Sequence, residues 1–209
     1  MPNQENLNVK SRTLKLAKMA LMVAVAIICS FVRFPILPTA PFLQFELSDI
    51  PLLIAGFAFG PLAGMVIVVI TIVISIFLPI PGAFVPYGPI MHFIAVGTAV
   101  FISSVIYQKM KKTEERSMTC NIKNICEVQT KFMPGFSGLF SLIISGLCMT
   151  AIMIPANILI TPHFMGVPVE VVYGMILPAF LPFNLLKMVI NTVVVFILYK
   201  RLSPFLHKW

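Results

Sequence analysis

Three polar side chains share one face of a helix near the C-terminus, within the apolar segment FLPFNLLKMVIN. Asn184 lies three residues before Lys187 and Asn191 lies four residues after it, so a helix aligns all three on one stripe. An ammonium group offers hydrogen-bond donors only, whereas an asparagine amide offers a donor and an acceptor. This set of groups is suited to holding a polar ligand. We assign the deeper Asn191 to a contact between helices.

Other residues could complete a pocket around this stripe. Asn157 follows Pro155 near the end of one apolar segment, and His92 lies near the start of another. Aromatic residues gather at the same end of the segments, where an interfacial aromatic belt also explains several of them. Apolar walls, aromatic faces and a few amide and amine donors suit a flat heteroaromatic ligand. The predicted substrate-binding residues are Asn184, Lys187, Asn157, Phe45, Glu46, Asp49 and His92.

The composition assigns the chain to a lipid bilayer. Of its 209 residues, 59% are hydrophobic and 11% are charged, and the mean hydropathy is +1.00. Several apolar stretches exceed the roughly 18 residues of a membrane-spanning candidate. We predict an all-α integral membrane protein with six transmembrane helices, at 14–34, 50–60, 62–78, 87–107, 136–160 and 175–202. Prolines and glycines mark the breaks between these spans.

Basic residues predict the orientation, because Lys and Arg concentrate on the cytoplasmic side of a membrane. If both termini are cytoplasmic, thirteen of the fifteen basic residues fall on one face. They are Lys10, Arg12, Lys15, Lys18, Lys109, Lys111, Lys112, Arg116, Lys123, Lys131, Lys200, Arg201 and Lys208. The formal net charge of +8 therefore indicates topology and not a nucleic-acid partner.

The spans predict a single membrane domain over 1–209. It consists of a cytoplasmic tail at 1–13, spans one to four within 14–108, a cytoplasmic linker at 109–135 and spans five and six within 136–203. The linker mixes both charge signs and lacks apolar periodicity, which indicates a solvated loop.

Lys187 is too deep to reach the cytoplasmic surface comfortably. Thirteen residues separate it from Lys200, which is about 20 Å along a helix. A charge at such depth costs roughly 2.5–3.5 kcal/mol and marks a functional-site candidate. Two interpretations remain open: an ion pair with Glu46, Asp49 or Glu170, and a donor in a water-accessible pocket that opens outward.

Two segments resemble a known family. FPILPTAPFLQFELSDIPLLIAGFAFGPLAGMVIV is similar to the first loop and following helices of the substrate-binding S components of energy-coupling factor (ECF) vitamin importers. ILPAFLPFNLLKMVINTVVVFILYKRLS is similar to the last helix of the riboflavin-specific members. The resemblance covers most of the chain, at about 14–203. The elements P-F-N-x-x-K and S-D-I-P-x-L favour riboflavin over thiamine, biotin or folate.

The resemblance implies a non-enzymatic subunit of the prokaryotic plasma membrane that captures riboflavin at the outer face, with no cofactor or metal. It would work with a transmembrane coupling subunit and two ABC ATPases. The family's ligand contacts match Asn184 and Lys187, and Asn157 less closely. Its docking motif of alanines spaced by four matches Ala20 and Ala24, with Ala17 nearby, and small residues at this spacing allow close helix packing.

Two departures leave the ligand open. Span three, VVITIVISIFLPIPG, lacks a Lys-Asn pair that riboflavin members often carry, and span four begins G-P-I-M-H. Another vitamin, such as pyridoxine or thiamine, or flavin mononucleotide therefore remains an alternative. A stand-alone secondary transporter and a membrane enzyme are weaker alternatives, because the sequence has neither two similar halves nor an H-E-x-x-H or G-x-S-x-G motif.

Overall fold

The computed structural model describes residues 4–80, 82, 84–121 and 134–207. These ranges contain seven α-helices, two short strands and one π-helical turn. In chain order they are α1 (Gln4–Ser30), β1 (Arg33–Pro35), β2 (Gln44–Glu46), α2 (Asp49–Phe59), α3 (Pro61–Phe77), α4 (Tyr87–Asn121), α5 (Pro134–Met165), α6 (Val169–Met175), the π turn (Ile176–Phe180) and α7 (Leu181–His207).

Each of the six predicted spans coincides with a helical segment, and the predominantly helical fold is confirmed. Four helical segments of the described chain are long and apolar enough to cross a membrane: Arg12–Ser30, Tyr87–Lys112, Ser137–Met165 and Val169–Tyr199. The helices α2 and α3 are apolar but shorter, at 11 and 17 residues.

The short helix α2 lies at the centre of the bundle. It packs against α1, α3, α4 and α7, and its residues 49–57 are all buried. Large apolar side chains instead cover the outside, as at Leu62 (78% exposed) and Phe77 (82% exposed). An apolar exterior around a core that also contains polar residues fits a bilayer, because lipid solvates apolar side chains.

Glycine allows the close approach of α2 and α3. A Cβ atom on Gly64 would lie 2.9 Å from the Cα atom of Gly56 and 3.0 Å from Val100 Cγ1 of α4. The crossing therefore has no room for a side chain at Gly64.

Several boundaries differ from the predictions, and the first of them is the end of α1 at Ser30, four residues before the predicted end of span one at 34. Helix α1 begins at Gln4, inside the predicted tail, and α4 continues to Asn121, so residues 109–121 of the predicted linker are helical. Residues 122–133 of that linker lie outside the described residues. Helix α5 runs through Pro155 and Pro162 to Met165 and does not break near 160. Proline is tolerated in membrane helices because neighbouring groups satisfy the freed backbone carbonyl.

The segment 31–48 between α1 and α2 covers one end of the bundle, and we call it the lid. Its strands β1 and β2 pair antiparallel, with Phe34 opposite Phe45 and Arg33 opposite Glu46. The prediction of an all-α chain missed this pairing because each strand has only three residues.

Candidate functional site

A cavity of about 120 Å³ lies beneath the lid, between α4, α5 and α7. Five of the seven predicted site residues line it, although they come from four different elements. These five are Glu46 on β2, His92 on α4, Asn157 on α5, and Asn184 and Lys187 on α7. The structure thus brings together polar residues that lie as much as 141 positions apart in the sequence (46 and 187).

Phe45 and Asp49 do not belong to the cavity wall. Side chains alternate between the two faces of a strand. Gln44 and Glu46 therefore line the cavity, whereas Phe45 packs against Phe34 with ring centroids 5.4 Å apart. Asp49 lies behind the wall and is 1% exposed. Neither residue lines this cavity, and the contact of these two residues with substrate stays a prediction.

Asp49 instead holds two polar side chains of α7. Its Oδ2 atom lies 2.9 Å from Lys187 Nζ and accepts a hydrogen bond from Asn191 Nδ2 at 3.0 Å. The ion-pair interpretation of Lys187 is therefore confirmed, with Asp49 as the partner. Lys187 also lines the cavity, and its role as a donor to a ligand stays a prediction. The predicted role of Asn191 as a contact between helices is confirmed.

A second ion pair links the two strands of the lid. Arg33 Nη2 lies 3.1 Å from Glu46 Oε2, and the Ser48 hydroxyl donates to the same oxygen at 3.3 Å. His92 Nδ1 lies 3.4 Å from Glu46 Oε2 and 3.6 Å from Asp49 Oδ1. His92 thus stands between the carboxylate of the lid and the carboxylate that holds Lys187.

The two cavity asparagines differ in what they leave unpaired. Asn157 donates from Nδ2 to the Met153 carbonyl at 2.7 Å, and its Oδ1 accepts from the Thr161 hydroxyl at 3.3 Å. Asn184 donates from Nδ2 to the Phe180 carbonyl at 2.8 Å, but its buried Oδ1 has no hydrogen-bond partner among the described residues. Since an unpaired buried acceptor is costly, the Asn184 oxygen is a candidate acceptor for a donor group of a ligand.

Aromatic and apolar residues form the rest of the wall. Phe84 and Tyr87 pack against Phe164 with ring centroids 5.1 and 5.9 Å apart, and all three line the cavity. Thr161 and Phe164 were missed because span five was expected to end at 160. The signal was present in the sequence, since residues 157, 161 and 164 share one helix face.

The predicted docking residues on α1 face away from the bundle. Ala17, Ala20 and Ala24 are exposed, whereas Ala26 is buried against the core. The alanine stripe is therefore accessible on the outside of the protein.

An apolar helical bundle that encloses a polar and aromatic cavity beneath a lid is the architecture of a membrane protein that binds a small ligand. The chain belongs to the family of ECF transporter substrate-specific components, whose model matches residues 14–199. A solved structure from work on the structure and mechanism of the S component of a bacterial ECF transporter aligns with a TM-score of 0.68 and 26% identity, covering 94% of this chain and 99% of that chain. The chain is therefore a transport subunit and not an enzyme.

Two curated relatives align over nearly their full lengths. The riboflavin transporter RibU of Staphylococcus aureus is 24% identical over 222 residues, covering 100% of both chains. The riboflavin transporter FmnP of Bacillus subtilis is 23% identical over 201 residues, covering 93% of this chain and 94% of the relative. A riboflavin transporter RibU of Lactococcus lactis is 31% identical over 113 residues, 54% of each chain.

Proposed function

We propose that this S component binds riboflavin in the cavity beneath the lid and delivers it inward with an ECF energy-coupling module. The observation that carries the proposal is the unpaired Oδ1 atom of Asn184, which is buried in a wall of aromatic and apolar side chains. The names of the full-length relatives support riboflavin as the ligand.

The chemistry of the flavin ring matches the polar groups on α7. The imide edge of an isoalloxazine carries an N–H donor between two carbonyl acceptors. The Asn184 oxygen can accept from the N–H group, and the Lys187 ammonium can donate to a carbonyl while it keeps Asp49 as its counter-ion. Asn157 adds an amide on the neighbouring helix. Phe183 and Met153 supply apolar contact for the ring.

The size of the cavity implies that the lid moves when ligand enters. Pockets for drug-sized ligands have volumes of roughly 300–1,000 Å³, and this cavity has about 120 Å³. Contacts within the lid, such as the pairing of β1 with β2, allow it to move as a unit. Opening would separate Glu46 from His92, which are 3.4 Å apart.

The energy for transport would come from partner subunits: a transmembrane coupling subunit that carries two ABC ATPases. No glycine-rich nucleotide loop occurs in the sequence. The exposed stripe of Ala17, Ala20 and Ala24 offers a smooth helix face for docking.

The same proposal includes the topology. All six spans cross the plasma membrane of a prokaryote as one domain, with both termini and the linker at 109–135 in the cytoplasm. The distribution of basic residues supports this orientation. The lid and its cavity then face the outside.

Riboflavin titration of the detergent-purified protein tests the ligand. Flavin fluorescence should be quenched to a 1:1 end point, and thiamine and pyridoxine should not compete. An Asn184→Leu variant, which removes the free oxygen at similar volume, should bind more weakly. Competition by thiamine or pyridoxine, with no quenching of riboflavin, would assign the cavity to another vitamin; tighter binding of flavin mononucleotide would assign it to the phosphorylated ligand.

A further inference from the structure

The lid contributes an amide group to the cavity that no binding role above has used. Gln44 lies in β2, and its side chain lines the cavity together with Asn184. Its Oε1 atom is buried and has no hydrogen-bond partner among the described residues. Within the part of the chain that the structure describes, two side chains that line this cavity, one on the lid and one on α7, thus have a buried amide oxygen that lacks a hydrogen-bond partner.

Gln44 is at the loop end of this cavity. A Cβ atom on Gly82, in the connection between α3 and α4, would overlap the Gln44 amide. Gly82 has a φ of 72°, in the left-handed region that glycine adopts without a steric penalty. Gly82 also lines the cavity, so the lid glutamine packs against a second loop at the mouth.

The opposite end of the cavity combines apolar residues with Lys187, the innermost lining residue of α7. On α5 the lining residues run from Phe164, near the loop end, to Met153, a distance of about 16 Å along the helix. Ala95 on α4 joins Met153 at the inner end. A ligand with one flat apolar part and one hydroxylated part would therefore place its ring at the inner end and its hydroxyl groups towards the lid, where desolvation of those hydroxyls is compensated by polar groups.

We infer that Gln44 determines specificity for the hydroxylated chain of the ligand, by hydrogen bonding from the lid to a ligand hydroxyl. The inference rests on the proposed riboflavin function and adds to it. Riboflavin carries a ribityl chain on its ring, and each hydroxyl of that chain is both a donor and an acceptor. A ligand hydroxyl that donates to Gln44 Oε1 gives the buried oxygen its missing partner and holds the lid closed over the site.

Lumiflavin provides the test, because it has the same ring system with a methyl group in place of the ribityl chain. Dissociation constants for riboflavin and lumiflavin are measured by fluorescence quenching with the full-length protein. We expect Gln44→Leu to weaken riboflavin binding roughly 2- to 13-fold, the range for a neutral hydrogen bond, and to leave lumiflavin binding within about two-fold. Unchanged lumiflavin binding also shows that the variant is folded.

Two further variants complete the design. Thr39→Val removes an exposed hydroxyl from the same lid, and both ligands should bind it as they bind the wild type. Asn184→Leu should weaken both flavins alike, because they share the ring.

Each other outcome overturns the inference in a recognisable way. If Gln44→Leu weakens the binding of riboflavin and lumiflavin equally, Gln44 does not recognise the ribityl chain. If Gln44→Leu binds both flavins as the wild type does, Gln44 makes no contact with the ligand. If Asn184→Leu weakens the binding of riboflavin but not of lumiflavin, the ribityl chain lies at Asn184 and the ligand has the opposite orientation in the cavity. A wild-type protein that binds neither flavin would overturn the riboflavin proposal itself, and this inference with it.

Discussion

Lys187 and Asp49 form an ion pair inside the bundle, with 2.9 Å between the ammonium nitrogen and a carboxylate oxygen and only 6% and 1% of their side chains exposed. The pair joins α7 to the first residue of α2, the central helix. Lys187 lines the cavity, whereas Asp49 does not, so we predict that the acid positions the lysine and does not itself contact a ligand.

Removal of one partner should destabilise the protein, because it leaves a buried charge without compensation. We expect Lys187→Met or Asp49→Asn alone to lower the free energy of unfolding by about 3–5 kcal/mol. The double variant should lose less than the sum of the two single losses. Denaturant unfolding in detergent measures these values, with Glu170→Gln as the control because Glu170 is exposed. Additive losses would show that the two residues are not coupled.

Ligand binding separates the roles of the two partners. The double variant should regain stability relative to Lys187→Met but should still bind riboflavin weakly, since the ammonium donor is gone. A double variant that binds riboflavin as tightly as the wild type would assign Lys187 to structure alone.

The two asparagines on either side of Lys187 should have opposite phenotypes. Asn184 lines the cavity and its Oδ1 has no hydrogen-bond partner among the described residues, whereas Asn191 donates to Asp49. We expect Asn184→Leu to weaken riboflavin binding roughly 2- to 13-fold, as for one neutral hydrogen bond, with little change in stability. Asn191→Leu should lower stability and change binding less. Fluorescence titration and unfolding of the two variants form a matched pair, and identical phenotypes would contradict the assignment.

Local sequence rules predicted the deep lysine and its helix face, but they did not identify its partner. Depth follows from residue spacing, because each helical residue advances about 1.5 Å. Glu46, Asp49 and Glu170 were all candidates for the pair, and only the packing of α2 against α7 selects Asp49. Glu46 instead pairs with Arg33 across the lid hairpin.

The alternation of side chains in β2 is visible in the structure, but the sequence alone does not reveal it. A strand at QFE places Gln44 and Glu46 on one face and Phe45 on the other. Without the strand assignment, Phe45 and Gln44 are equivalent positions of a loop, and no rule separates the one that lines the cavity from the one that does not. A three-residue strand has too little pattern to be recognised without its partner strand.

Packing at the centre of the bundle predicts a difference between two glycines. A methyl group at Gly64 would meet the Gly56 backbone at 2.9 Å, whereas one at Gly97 would have Met65 Cε as its nearest neighbour at 3.6 Å. Overpacking costs about 1–3 kcal/mol, so Gly64→Ala should lower stability by about this amount. Gly97→Ala should be neutral or slightly stabilising because alanine favours the helix. Unfolding in detergent checks both, and equal stabilities would show that α2 and α3 can move apart.

The alanine face of α1 should affect assembly and not ligand binding. Ala20→Trp and Ala24→Trp place large rings on an exposed helix face that would otherwise allow close packing. We expect loss of co-purification with the ECF coupling subunit and an unchanged dissociation constant for riboflavin. Leu177→Trp is the control, because Leu177 is 76% exposed and lies on the π turn and not on α1. If both alanine variants assemble normally with the coupling subunit, this face of α1 is excluded as the docking surface.

The proposed topology places Glu170 outside the cell and Lys112 in the cytoplasm. Both residues are exposed, so a cysteine at either position can react with a maleimide that does not cross membranes. In a background with the four native cysteines replaced by serine, Glu170→Cys should be labelled in intact cells. Lys112→Cys should be labelled only after the membrane is opened, because an even number of crossings separates it from a cytoplasmic N-terminus. Labelling of Lys112→Cys in intact cells would mean that α2 or α3, the two short helices, does not cross the bilayer.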